Sequence, residues 1–169
     1  MEIIKQGEIV TSAWVHLGDD EPLPAHAADL TVSLARLLEQ REPLLARARE
    51  GSGQVGVRLT PADELDPLLP VLPELSLVAI EFPKFTDGRG YSLARLLRDR
   101  HGYRGELRAM GHVLRDQLFY MHRCGFDAFE LAPGKSIHDA LEAFSELSVR
   151  YQAAADDPRP LFRRRSAAP

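Results

Sequence analysis

Cysteine is nearly absent from this 169-residue chain: Cys124 stands alone. A disulfide scaffold and a Cys-rich metal or iron–sulfur centre are thereby excluded. No apolar run approaches the ~18 residues that a membrane helix requires. Met1–Lys5 shows no basic segment leading into an apolar one, so the expected setting is cytoplasmic, away from the membrane. Basic charge of any excess is also missing. The net charge is −4 and the pI is about 5.9, which predicts no general attraction to nucleic acid or anionic lipid. Lysine is scarce as well, with 18 Arg against Lys5, Lys84 and Lys135. There is no Gly-x-Ser-x-Gly elbow, P-loop or His-Glu-x-x-His pattern. The six histidines show no ligand spacing, so no metal site is expected, and no motif asks for a bound cofactor.

What remains is ordinary globular composition, 44 % hydrophobic and 27 % charged, in a length that suits one domain. Residues 1–53 read as an irregular β/α part. Its β-prone pieces are Ile3–Ile4, Glu8–Val10 and Ala13–His16, its loop runs from Gly18 to Pro24, and its helical stretches are Leu34–Glu39 and Leu44–Arg49. Gly51-Ser52-Gly53 marks a break.

From residue 54 to 151 a β-α rhythm predicts four units of about 25 residues. Val55–Leu59 is a short strand, and Thr60-Pro61-Ala62-Asp63 offers the opening of a helix. Leu75–Phe82 is apolar almost throughout, as a strand covered on both faces would be. Ser92–Arg100, Val113–Arg123 and Ser136–Tyr151 carry helical apolar spacing, and Gly105–Met110 and Phe126–Leu131 fit the strands between them. The expected fold is therefore α/β, with a mainly parallel sheet that is either open and doubly wound or curled like a half-barrel. Residues 152–169 read as a disordered tail.

Ligands of parallel α/β folds bind in the loops at the carboxyl ends of strands. The loop after the apolar strand is the most unusual: Glu81-Phe-Pro-Lys84-Phe-Thr-Asp87-Gly88-Arg89-Gly90-Tyr-Ser92. Gly88 and Gly90 permit close backbone approach, and Lys84 and Arg89 together suit an oxyanion. Glu81 reads as a pocket acid or an ion-pair partner, and Arg115 as a second charge on the same rim. The bland alternative is a turn at Asp87-Gly88, Arg89 paired with Asp87 or Glu81, and Phe82, Phe85 and Tyr91 engaged in packing. His112 reads as a plain helix-start residue more readily than a proton donor, and Cys124, at a helix end, as a buried inert thiol. No catalytic residue is assigned.

Ile80–Glu130 resembles the bacterial family of unknown function numbered 934, DUF934. The resemblance rests on the loop just quoted, on Gly105-Glu-Leu-Arg-Ala-Met-Gly111, on Val113-Leu-Arg-Asp-Gln-Leu-Phe-Tyr120 and on Arg123-Cys-Gly-Phe-Asp-Ala-Phe129. Met110 and His112 depart from the residues usual there, a smaller aliphatic and an acid. The resemblance implies an accessory of assimilatory sulfate/sulfite reduction. Members tend to be encoded beside the sirohaem sulfite reductase haemoprotein, and some carry an oxidoreductase label on that association. No established reaction or catalytic residue comes with it.

Three functions are compatible with these residues. One is an accessory that binds a small oxyanion or supports electron delivery to sulfite reductase, any redox cofactor being the partner's. A second is a non-catalytic module that docks on a sulfur-assimilation enzyme. The third is a small enzyme with Lys84 or Glu81 as base. A homo-oligomer is a further expectation.

Overall fold

The structure is a computed structural model that describes residues 1–147 and 151–165. Eight strands form one sheet: β1 (Glu2–Lys5), β2 (Glu8–Thr11), β3 (Val15–His16), β4 (Leu30–Ser33), β5 (Val55–Leu59), β6 (Leu77–Phe82), β7 (Glu106–Gly111) and β8 (Ala128–Phe129). Their spatial order is β2-β1-β8-β7-β6-β5-β4-β3. Strands β3 to β8 pair in parallel, and β1 pairs antiparallel with both β2 and β8. The helices are α1 (Leu34–Glu39), α2 (Arg41–Arg49), α3 (Arg89–Arg95, continued by a π-helical turn over Leu96–Arg100), α4 (Arg115–Cys124), α5 (Ile137–Glu142) and α6 (Leu161–Arg165).

The order of the parallel strands decides between the two architectures expected from sequence. It never reverses, so right-handed crossovers all fall on one face of the sheet. Such a sheet curls. In a flat sheet β3 and β8 would lie about 24 Å apart, at ~4.8 Å per strand. Yet His16 of β3 reaches Glu130, just past β8, at 3.2 Å across the inner face. Only Ser12, Ala13 and Trp14 join the edge strands β2 and β3. Four residue steps span at most ~14 Å, so the two edges come back close to one another.

Strand alternation then sorts the side chains. Val32, Val57, Leu59, Val78, Ile80, Phe82, Leu107 and Phe129 point outward into the single hydrophobic core, shared with Leu37, Leu44, Leu97, Leu118 and Met121 of the helices. Thr31, Arg58, Ala79, Glu81, Arg108 and Glu130 take the inner face. Arg108 is 1 % exposed there, pairing with Glu106 and donating to Ser12 Oγ at 3.1 Å.

Residues 1–53, read as irregular, contribute β1–β4 to this same sheet. Leu30-Thr-Val-Ser33 is a full strand, and its last residue caps α1, with Ser33 Oγ accepting from Arg36 N at 3.1 Å. The helix expected after β5 is missing. Pro61, Pro67, Pro70 and Pro73 lack the amide donors a helix needs, and 3-10 turns at Asp66–Leu68 and Leu72–Glu74 replace it. Four β-α units do exist, but they start from β4, β6, β7 and β8.

The last long helix stops at Glu142, and 148–150 of its expected span lie outside the described residues. Of the segment read as a disordered tail, residues 152–165 are described. Part of it lies on α4: Ala155 N donates to Arg123 O at 3.1 Å, and Asp156 pairs with Arg123 while 2 % exposed. No helix among the described residues is long and apolar enough to cross a membrane.

Candidate functional site

The loop after β6 sits at the carboxyl end of the sheet, as its sequence position requires. Its cations are arranged for different tasks. Arg89 turns back onto Asp87, donating from Nε at 3.0 Å and from Nη2 at 2.8 Å. This is the local pair that their spacing allows. It holds the Asp87 carboxyl below its ordinary value, mainly through the Arg89 side-chain hydrogen bond, and Arg89 rises correspondingly. Arg115 turns toward α5. It approaches Asp139 at 3.2 Å and Glu146 at 2.5 Å, and its hydrogen bond to Glu146 is the main cause of a raised pKa. Arg115 thus ties α4 to the segment of α5. Lys84 is exposed and, unlike Arg89 and Arg115, makes no ion pair with the described residues.

The two glycines also differ. A Cβ on Gly88 would meet nothing within 4 Å, and its φ of −81° suits any residue. A Cβ on Gly90 would fall 2.7 Å from Phe82 Cζ and 3.2 Å from Ile80 Cγ2. Gly90 is there so that α3 can lie on β6. Of the aromatics, Phe82 packs fully and stacks edge-on with Tyr91 at 5.2 Å between centroids, whereas Phe85 stays 59 % exposed beside His112. Gln117 Nε2 holds the Phe85 carbonyl at 3.3 Å, which joins this loop to the start of α4. Cys124 is buried, and burial pushes its thiol pKa up, against nucleophilic use.

Sequence reasoning missed a second group, on the inner face. His16 Nδ1 lies 2.6 Å from Thr31 Oγ1, and its Nε2 lies 3.2 Å from Glu130 Oε2. Arg58 stands behind Thr31, donating from Nη1 to the Thr31 carbonyl at 3.0 Å and to its hydroxyl at 3.3 Å, and from Nη2 to Leu17 O at 2.8 Å. An ionised carboxylate only accepts, so Nε2 of His16 carries a proton toward Glu130. The Thr31 hydroxyl oxygen pairs with Nδ1 and accepts from Arg58. Burial lowers the Arg58 pKa, and the charges of Asp19 and Glu81 oppose that fall. Glu81 therefore belongs to this inner group through its field rather than to an ion pair. The sequence signal was the alternation itself: between apolar neighbours on their strands, Thr31, Arg58 and Glu81 are polar residues assigned to one face. Among the described residues, no group of three or more His, Cys, Asp or Glu is placed to hold a metal ion.

A family model described as "Bacterial protein of unknown function (DUF934)" matches residues 56–162. The chain belongs to the DUF934 family. The match runs unbroken from the second residue of β5 through α5 and the segment on α4, and it leaves β1–β4 outside. His16 and Thr31 thus lie before the matched region, while Arg58, Lys84 and Glu130 lie inside it. No curated protein matches the chain.

Proposed function

We propose that this DUF934 chain is a cytoplasmic accessory protein of assimilatory sulfate/sulfite reduction that binds a small oxyanion at the loop after β6. The observation that carries the reading is Lys84: an exposed cation without an ion pair among the described residues, at the carboxyl end of a curled parallel sheet. A compact ammonium there is open to an anionic ligand. Arg89 joins it only by leaving Asp87. The pathway is supported by the family resemblance alone. Isothermal titration of sulfite, sulfate and adenylyl sulfate tests the reading. Binding by wild type and its loss in Lys84→Ala is the expected result. No heat with wild type, or equal binding by the variant, overturns it.

A second reading has its own observation. Phe85 and Tyr120 are each 59 % exposed, and Tyr120 stacks with Tyr91 at 5.2 Å. Exposed aromatics near a ligand loop suit docking on a sulfur-assimilation enzyme, the sulfite reductase haemoprotein first among them. A pull-down with the purified haemoprotein that is lost on Phe85→Ser and Tyr120→Ser supports docking. Undiminished capture by both variants removes it.

A further inference from the structure

Glu130 has a second surroundings besides His16. It lines a groove of about 520 Å³ at the carboxyl ends of β7 and β8, with Lys135 and Gly134 in the loop toward α5 and with Met110, Leu131 and Ile137 as apolar wall. That volume lies within the usual range of small-molecule sites. The carboxylate is held from behind. Its Oε2 lies 3.2 Å from His16 Nε2, His16 is fixed by the buried Thr31, and Thr31 is fixed by Arg58. Glu130 Oε1 accepts no hydrogen bond from the described residues. Lys135 is exposed and forms no ion pair with them. The groove therefore offers a preorientated acceptor carboxylate and an uncommitted ammonium beside an apolar wall. Glu2 adds a second carboxylate and the Met1 α-ammonium a second cation, so the lining carries two charges of each sign.

We propose that this groove is a binding site for a small zwitterion, an α-amino acid with an apolar side chain. Its ammonium rests on Glu130 and its carboxylate on Lys135, and Met110, Leu131 and Ile137 cover the side chain. The open oxygen of Glu130 takes the amine end, and Lys135 selects for a ligand that also carries an acid. His16 is a positioning residue: it sets the Glu130 rotamer and does not touch the ligand. The site is separate from the loop after β6, so neither proposal depends on the other.

Calorimetric titration of the full chain with L-leucine tests this, with methylamine and acetate as single-charge probes. L-leucine is expected to bind more tightly than either. Glu130→Gln and Lys135→Met should each weaken it by about ten- to a hundredfold, the usual effect of losing a charge-assisted contact. His16→Gln should weaken it less and leave the preference for L-leucine over acetate intact. Both charge variants alter partly or fully exposed side chains, and an unchanged melting temperature confirms that they fold. No L-leucine binding up to about 10 mM overturns the proposal, since the dissociation constant would then lie above the millimolar range. So does binding unaffected by both charge variants, or binding of methylamine or acetate as tight as that of L-leucine.

Discussion

Gly90 lies flat against the ring of Phe82, so close that a methyl group on it would sit 2.7 Å from Cζ and 2.9 Å from Cε1. Phe82 is wholly buried and cannot retreat, because Phe126 backs it at 5.8 Å between centroids. Gly90→Ala would improve helix propensity in α3 and yet overpack the core. Overpacking costs about 1–3 kcal/mol and outweighs the ~1 kcal/mol gained from propensity. A lower urea midpoint with an unchanged slope is expected. Gly88→Ala, with open space at its Cβ, is expected to leave the midpoint in place or raise it.

Glu106 is shared by two cations on the inner face, Arg108 at 2.6 Å and Lys5 at 2.7 Å. Its side chain is 7 % exposed and that of Arg108 1 %. Glu106→Leu leaves Arg108 buried with, among the described residues, only Ser12 as a side-chain partner. Removing one member of a buried pair costs about 3–5 kcal/mol, because the other charge stays behind unpaired. Equilibrium unfolding is expected to show a loss of this size, and a loss below about 1 kcal/mol would place Glu106 with ordinary surface pairs. Lys5→Met, half-exposed on its side of the same carboxylate, is expected to cost less.

The parts of this fold that were legible in the sequence are those where local chemistry and tertiary context agree. Leu77–Phe82 is a strand by its apolar run, α4 a helix by the spacing of Leu118 and Met121, and α5 starts at Ser136, which accepts from Asp139 N. What stayed hidden depended on pairing across the sheet. Leu30–Ser33 is too short to declare itself, and it becomes a strand because β3 and β5 flank it. The Thr60–Asp63 cap was legible, and Thr60 N does donate to Asp63 at 2.6 Å, but the prolines that follow turn it into an isolated turn. The site shows the same division. The Asp87–Arg89 pair follows from spacing two residues apart. The His16–Glu130 contact bridges 114 residues and exists only because the sheet curls. Arg115 was misplaced for that reason too: its partners on the α5 segment were 24 and 31 residues away in sequence.

Tyr103 donates its hydroxyl to the Leu75 carbonyl at 3.1 Å inside the core, and burial raises its pKa far above that of an exposed phenol. A raised folded-state value means that the fold favours the protonated phenol. This contribution is complete below the unfolded-state pKa of ~10 and falls away as pH rises from there toward the folded-state value. Stability should therefore decline above pH ~10. Tyr103→Phe is expected to flatten that alkaline limb, and to cost about 1 kcal/mol near neutrality for the lost hydrogen bond. Melting temperatures of both proteins across the alkaline range measure both effects.

Asp87 keeps Arg89 away from any ligand at the loop after β6, through a side-chain pair in which Arg89 is 62 % exposed. The Asp87 carboxyl titrates below its ordinary value because of that pair. The pair is thus intact above the usual carboxylate pKa and is released only as pH falls through the depressed folded-state value, so neutral pH leaves Arg89 occupied. Asp87→Asn removes the charge and keeps the turn-forming amide oxygen. Arg89 then becomes free to join Lys84, and two cations grip an oxyanion better than one. Sulfite affinity at pH 7 is expected to rise about tenfold in Asp87→Asn, the effect of roughly one added charge-assisted contact. The gain should vanish in Asp87→Asn/Arg89→Gln. An affinity unchanged in the single variant would show that an anion held by Lys84 lies beyond the reach of Arg89.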